Sequence, residues 1–346
     1  MLSDWCGWLR IPSLAAGSFC QILAPASMNR LLPRLPIILF LLVVALPSRA
    51  EDPFQELGKA VRMTNYSGVM VYSQGERMET LRIVHRYADG MESERLRALS
   101  GEPVEFLRNG GSITCIVPRD REVQVDMRKF AGLFPALPAE APQAFRTGLY
   151  RAVEKGNVTM LGRSCRHVHI QPMDEYRYGY RLWVDAQTGL PLKYQMLTSD
   201  GRALEQAMFT EISFPETIDD AELAPTLASE GFVQKKHEPM PERTLQPGAW
   251  EASTLPAGFM LMQREVKYMP EAMGEVEHLV YSDGLASVSV YVAAGDSGLE
   301  PFMGITAMGA THAFGTMLGE HHIGVMGEVP QRTVELIGSG MRRVVQ

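Results

Sequence analysis

"YGYRLWVDAQTGLPLKYQML" (Tyr178–Leu197) is two strand-like runs with a break between them. Trp183-Val184-Asp185 leads into Gln187-Thr188-Gly189, a turn, and an apolar run returns from Leu192. A short polar turn between two such runs folds the chain back on itself, so the strands pair antiparallel. The same pattern recurs upstream in "YSGVMVYSQG", "METLRIVHRY", "ESERLRAL", "PVEFLRNG", "SITCIVP" and "REVQVDM". Asp89-Gly90, Asn109-Gly110-Gly111 and Pro118-Arg119-Asp120 separate those runs. Downstream come "NVTMLG", "CRHVHIQP" and "ALEQAMFTEISF". Short strands with close turns make an antiparallel meander.

Helical signals are few. Phe54, Leu57 and Val61 recur at helical spacing behind Pro53, and Ala144 to Val153 is a second helical candidate. These features predict an α+β fold: a large, strongly curved antiparallel sheet with its apolar face around helices. From Leu227 to Gly248 the apolar periodicity fades, and Pro239, Pro241 and Pro247 accumulate. Residues 227–248 therefore read as a linker between a domain at 51–226 and a smaller α+β domain at 249–346. In the second domain, "HLVYSDGLASVSVYV" (His278–Val292) reads as a hairpin turning at Asp283-Gly284. A tight two-residue turn there predicts Leu279 opposite Val288 and Tyr281 opposite Ala286. Pro330 opens a helix whose Val334, Ile337 and Met341 share one face.

The amino terminus differs from the rest. Met28 begins a stretch with Arg30 and Arg34 before an apolar core from Leu35 to Leu46, closing on Ser48 and Ala50. That is the pattern of a secretory signal peptide at 28–50, cleaved after about Ala50, which sends the chain out of the cytoplasm. Residues 1–27 do not fit the pattern and read as a mis-assigned extension. Without residues 1–50, 29 basic and 39 acidic residues remain, and the net charge moves from −7 to −10. No basic nucleic-acid surface is indicated. Cys6 and Cys20 also leave, and Cys115 and Cys165 remain as a disulfide candidate in an oxidising compartment. Two buried thiols are the alternative.

Catalytic constellations are weak. "GDSG" (Gly295–Gly298) resembles the nucleophile segment of trypsin-like proteases, but no histidine segment of that kind accompanies it. His167 and His169 alternate on one strand face, whereas the adjacent His321 and His322 point to opposite faces. Neither pair has the company of a zinc motif. No phosphate loop, dinucleotide fingerprint or facing carboxylate pair is evident, so no enzyme, metal or cofactor is expected. The 21 methionines suit an adaptable apolar surface, although plain core filling explains them as well.

Five segments carry a family resemblance: "LYRAVEKGNVTMLGRSCRHVHIQP", "YGYRLWVDAQTGLPLKYQML", "LPAGFML", "HLVYSDGLASVSVYV" and "VMGEVPQRTVELI". With them the chain resembles the MucB/RseB family over nearly all of residues 51–346, most of all its MucB branch. The resemblance implies a LolA/LolB-like first domain and a small second domain. It also implies a non-enzymatic periplasmic regulator of the sigma-E (AlgU-type) envelope-stress response. Such a protein binds the periplasmic segment of a MucA/RseA-type anti-sigma factor and blocks site-1 proteolysis. Lipopolysaccharide or lipoprotein acyl chains would release the block, and a homo-oligomer is compatible with it. A LolA-type lipid or lipoprotein carrier is the alternative. Tyr281, Ser282, Asp283 and Gly284 are the candidate partner patch. Met70, Tyr72, Leu81, Phe106, Phe130 and Phe134 are the candidate lining of an acyl-chain cavity.

Overall fold

The computed structural model describes residues 53–126, 147–237, 249–269, 274–294 and 302–344. Helix α1 (Pro53–Met63) precedes a meander of six strands. These are β1 (Tyr66–Gln74), β2 (Arg77–Ala88), β3 (Met91–Ala98), β4 (Glu105–Asn109), β5 (Ser112–Val117) and β6 (Glu122–Asp126). A second meander follows with β7 (Tyr150–Met160), β8 (Arg163–Pro172), β9 (Gly179–Asp185), β10 (Pro191–Leu197) and β11 (Ala203–Ser213). β11 returns to pair antiparallel with β1, which fuses both meanders into one sheet. With β12 (Val233–His237) at one edge, its order is β12-β6-β5-β4-β3-β2-β1-β11-β10-β9-β8-β7.

Strand alternation builds the core. In β1, Tyr66, Met70 and Tyr72 face inward, while Val69 and Val71 on the other parity stay half-exposed. Facing strands add Leu81, Ile83, Leu96, Phe106, Tyr180, Leu182, Tyr194 and Phe209 to the same cluster. Leu57 of α1 belongs to that cluster and Val61 packs against it, so the predicted apolar stripe of the helix is real. Gly68 admits no side chain, because an added Cβ would lie 2.4 Å from the Glu211 carbonyl oxygen.

Two expectations are corrected. Ala144–Val153 is not a helix where it is described: Tyr150–Met160 is the edge strand β7, whose pairing with β8 outweighs its helical periodicity. Nor is 227–248 wholly linker. Val233–His237 forms β12, which runs parallel to β6 and extends the first sheet. Before it, the short helix α2 (Asp220–Leu223) and its flanks lie across the outer face of β2–β4. Glu105 holds this segment by accepting from Thr226 N, Thr226 Oγ1 and Leu227 N at 2.8, 2.7 and 2.9 Å.

The second domain has its own core. β14 (Met260–Met269), β15 (Gly274–Ser282), β16 (Ser287–Ala294), β17 (Gly304–Met308), β18 (Thr311–Leu318) and β19 (His321–Gly327) form a six-stranded antiparallel sheet. Its order is β14-β15-β16-β19-β18-β17. Helix α3 (Gln331–Ser339) lies against β18 and β19. β13 (Trp250–Ala252) and β20 (Met341–Arg343) form a separate two-stranded ribbon. Val334, Ile337 and Met341 are buried together, as their shared face predicts. The α+β class with a large curved sheet and a smaller second sheet domain stands. Among the described residues no helix is long and apolar enough to cross a membrane.

Candidate functional site at the domain junction

The β15–β16 hairpin does not turn in two residues. Ser282 pairs with Ser287, so Leu279 faces Val290 and Tyr281 faces Val288. The pairing is offset by two residues from a tight-turn register, which preserves the face of every side chain. Asp283 causes the wider loop. Its Oδ1 accepts from Leu285 N at 2.8 Å and from Ala286 N at 2.7 Å, stabilising a four-residue turn. Gly284 takes the positive φ, 95°. Ser282 Oγ donates to Ala286 O at 2.8 Å and accepts from Gly284 N at 3.0 Å, so its hydroxyl serves the loop.

These residues are not an open patch. Tyr281, Ser282 and Asp283 are buried, and only Gly284 is exposed. The reason is the other domain. The segment between β8 and β9 carries Arg177, whose side chain is fully buried with its Nη1 2.9 Å from Asp283 Oδ2. Arg177 Nε lies 3.1 Å from Asp174 Oδ1, and Nη2 donates to Ala257 O at 2.7 Å. The contacts to Asp283 and Asp174 are close in distance but oblique. They act as a charge contact rather than a bidentate fork. The guanidinium also lies over the Tyr150 and Phe259 rings, with centroids at 5.5 and 5.3 Å. Burial pushes the Asp283 carboxyl up, while the two loop amides and Arg177 pull it back.

Further contacts cross the same seam. Tyr178 OH donates to Val329 O at 3.2 Å and meets His312 Nδ1 at 3.2 Å. Thr333 Oγ1 donates to Tyr176 O at 2.7 Å, and Arg332 pairs with Glu175. Ala310 is buried in the first domain's core cluster, and Leu285 packs against it. Gly258 (φ +82°) fits closely here, since an added Cβ would meet Leu149 Cδ1 at 2.5 Å. Gly258→Ala is expected to lower stability by about 1–3 kcal/mol, from left-handed backbone plus overpacking. The shift of the denaturant midpoint measures it.

A second group lines the concave side of this junction. Glu205 on β11 is buried and accepts from Tyr72 OH at 2.8 Å and Tyr194 OH at 3.1 Å. Burial drives its carboxyl upward. Glu328, between β19 and α3, has a solvent-exposed side chain crowded by protein on its other side. Burial and then Glu205 push its carboxyl up to about 7. Burial foremost also raises the phenols of Tyr72, Tyr178, Tyr180 and Tyr194, and Glu328 adds to each.

The other candidates fall as follows. Met70, Tyr72, Leu81 and Phe106 are buried together in the first core, whereas Phe130 and Phe134 lie outside the described residues. The Cys115–Cys165 bridge is not formed: Cys165 is a free, buried thiol. The sheet order sets β5 and β8 far apart, with seven strands between them. "GDSG" lies outside the described residues. His167 and His169 do converge, Nε2 to Nε2 at 3.1 Å, but no third metal-ligating residue joins them among the described residues. His321 packs on Trp250 at 5.0 Å, and His322 reaches Phe302 O at 2.8 Å, so that pair diverges as predicted. Arg177 was not visible as a functional residue. An arginine in "MDEYRYG" reads as a solvated turn, and nothing local marks it as buried.

Two sheet domains, each with its own core, meet at the buried Arg177–Asp283 ion pair. The chain belongs to the MucB/RseB family: the MucB/RseB N-terminal domain model matches residues 49–227 and the C-terminal domain model matches 244–342. It is 29% identical over 304 residues to the sigma factor AlgU regulatory protein MucB of Pseudomonas aeruginosa, covering 85% of this chain and 90% of that one. The sigma-E factor regulatory protein RseB of Salmonella typhimurium is 27% identical over 296 residues, covering 84% and 90%. The solved complex of Pseudomonas aeruginosa MucA/MucB contains a chain that superposes with a TM-score of 0.66 at 26% identity, over 85% of this chain and 99% of that one.

Proposed function

We propose that this protein is a non-enzymatic periplasmic regulator. It binds the periplasmic segment of a MucA/RseA-type transmembrane anti-sigma factor and shields that segment from site-1 proteolysis. One observation supports this most. A MucB solved in complex with the periplasmic part of MucA matches this chain through both domains, with a TM-score of 0.66 over its whole length. The relatives are named as regulatory proteins, in keeping with a binding role.

Shielding needs no reacting group. A bound segment cannot enter a protease, so protection follows occupancy. A lipid or lipoprotein signal need only bind the partner-free form better, and linkage lowers partner affinity by the same factor. The inward side chains Met70, Tyr72, Leu81 and Phe106 are the apolar surface an acyl chain would displace or join. The junction gives such a signal a route. Whatever wedges into the first domain's concave face acts on Leu285 and Ala310, which the second domain contributes there.

A pull-down tests the reading. The full-length exported protein is expected to retain an anti-sigma periplasmic segment and slow its cleavage. Deleting residues 249–346 is expected to abolish protection. Retention of acylated protein without any hold on the anti-sigma segment would favour the carrier alternative and refute the regulator.

A further inference from the structure

The sheet's outer face carries two adjacent rows that the junction does not use. The first runs His167, Trp183, Lys193, Met208, Val71 and Thr80 across β8, β9, β10, β11, β1 and β2. The second runs His169, Arg181, Gln195, Gln206, Ser73 and Met78 across the same strands. Neither row contains a carboxylate, although the chain has 40 acidic against 33 basic residues. We infer that this face docks on an anionic phospholipid bilayer.

Geometry and composition favour a bilayer. The cations Arg181 and Lys193 stand on the adjacent strands β9 and β10, within a face six strands and roughly 24 Å wide. A peptide would take a sheet edge or a groove. Trp183 has His167 stacked on it at 4.6 Å and the Lys193 Nζ cation over its ring at 4.7 Å. Met208, 37% exposed, stands opposite Lys193, and Met78, 71% exposed, lies at the far end of the second row on β2. Aromatic and thioether groups with Lys and Arg suit the headgroup boundary, where apolar parts enter and charges meet phosphate. Burial first, and then Arg181 and Lys155 among the nearby positive groups, hold both imidazoles below their ordinary range, so the local field is positive. The contrast within the same face is informative. Over β2–β4 the segment from Ile218 to Leu227 covers it and ties down Arg86, Arg95 and Arg97. Over β8–β11 the rows remain partly open to solvent.

Vesicle co-sedimentation of the exported full-length protein tests this. Phosphatidylethanolamine vesicles containing phosphatidylglycerol and cardiolipin are expected to bind it, and phosphatidylcholine vesicles to bind it far less. Binding should weaken with salt. Arg181→Gln with Lys193→Gln is expected to lower partitioning about 25-fold, about fivefold per cation. Lys155→Glu with Lys193→Glu, nearer solvent, serves if the first pair fails to fold. Arg343→Gln on the second domain should change nothing. The inference is overturned if the wild type ignores anionic vesicles, or if both pairs leave binding intact. It is also overturned if free inorganic phosphate at matched ionic strength displaces the protein, which would assign the face to a soluble anion. A parallel pull-down with the anti-sigma segment separates this inference from the regulator reading. Loss of that segment in the same variants, without vesicle binding, would make the face a peptide site.

Discussion

Arg177→Ala is expected to destabilise the folded chain by about 3–5 kcal/mol, because it leaves Asp283 ionised and buried with its cation gone. Arg177 and Asp283 both have fully buried side chains, so water cannot replace the lost partner. The substitution also removes the donor to Ala257 O and the cation between the Tyr150 and Phe259 rings. Asp283→Asn should cost less, since an amide oxygen still accepts from Leu285 N and Ala286 N. The double variant decides the mechanism. If the loss comes from a stranded charge, Arg177→Ala with Asp283→Asn is more stable than Arg177→Ala alone, with a coupling energy above about 1.5 kcal/mol. Additive losses would mean that packing, not charge, holds the seam. Two domains invite non-coincident unfolding, so probes should be followed in each. Trp183 reports the first and Trp250 the second. Partner retention should fall with the same variants if the junction aligns the binding surface.

Much of this architecture is legible in the residues. Strand runs and turn residues between 66 and 126 and between 178 and 213 appear in the sheet with the expected antiparallel order. Period-two alternation is a local property, and it survives because one face of each strand is buried. What failed depends on distant partners. Ala144–Val153 reads as a helix, yet from Tyr150 onward the chain pairs with β8 across a bulge between Glu154 and Asn157. Val233–His237 has no strand signature of its own and is recruited by the open edge of β6. The hairpin at Asp283 shows the same limit at a finer scale. Asp-Gly predicts a tight turn, but the aspartate side chain caps two amides and faces an arginine 106 positions upstream. Its neighbours looked like a surface and proved to be an anchor. Cys115 and Cys165 had the right compartment and the wrong strands.

Glu328→Gln is expected to flatten the acid-to-alkaline stability profile, with a gain that grows from about pH 4.3 to pH 7 and is full above it. The folded carboxyl is held up to about 7, first by burial and then by Glu205. An unfolded glutamate titrates near 4.3. Between those values the folded state binds a proton that the unfolded state has released. Stability from this group is therefore complete below about pH 4.3 and is lost as pH rises through 7. Glutamine stays neutral throughout and escapes that loss. Glu328 is exposed to solvent, so screening reduces the effect to at most about 1 kcal/mol, or about 2–4 °C in Tm, at pH 8. His85 works in the opposite direction. It is buried against Tyr66, burial lowers its pKa, and acidification through about 6.5 destabilises the fold because the unfolded chain takes the proton. The raw Tm profile mixes the two, whereas the difference between variant and wild type isolates Glu328. That difference should be small at pH 5 and largest at pH 8. Glu205→Gln should reproduce part of the gain, because it removes the charge that opposes ionisation of Glu328. Ionising both carboxylates sets like charges between β11 and the corner preceding α3, so alkaline conditions work to part the domains at that corner. Superimposed profiles for Glu328→Gln and wild type from pH 5 to pH 8 would show that the two carboxylates do not communicate across the junction.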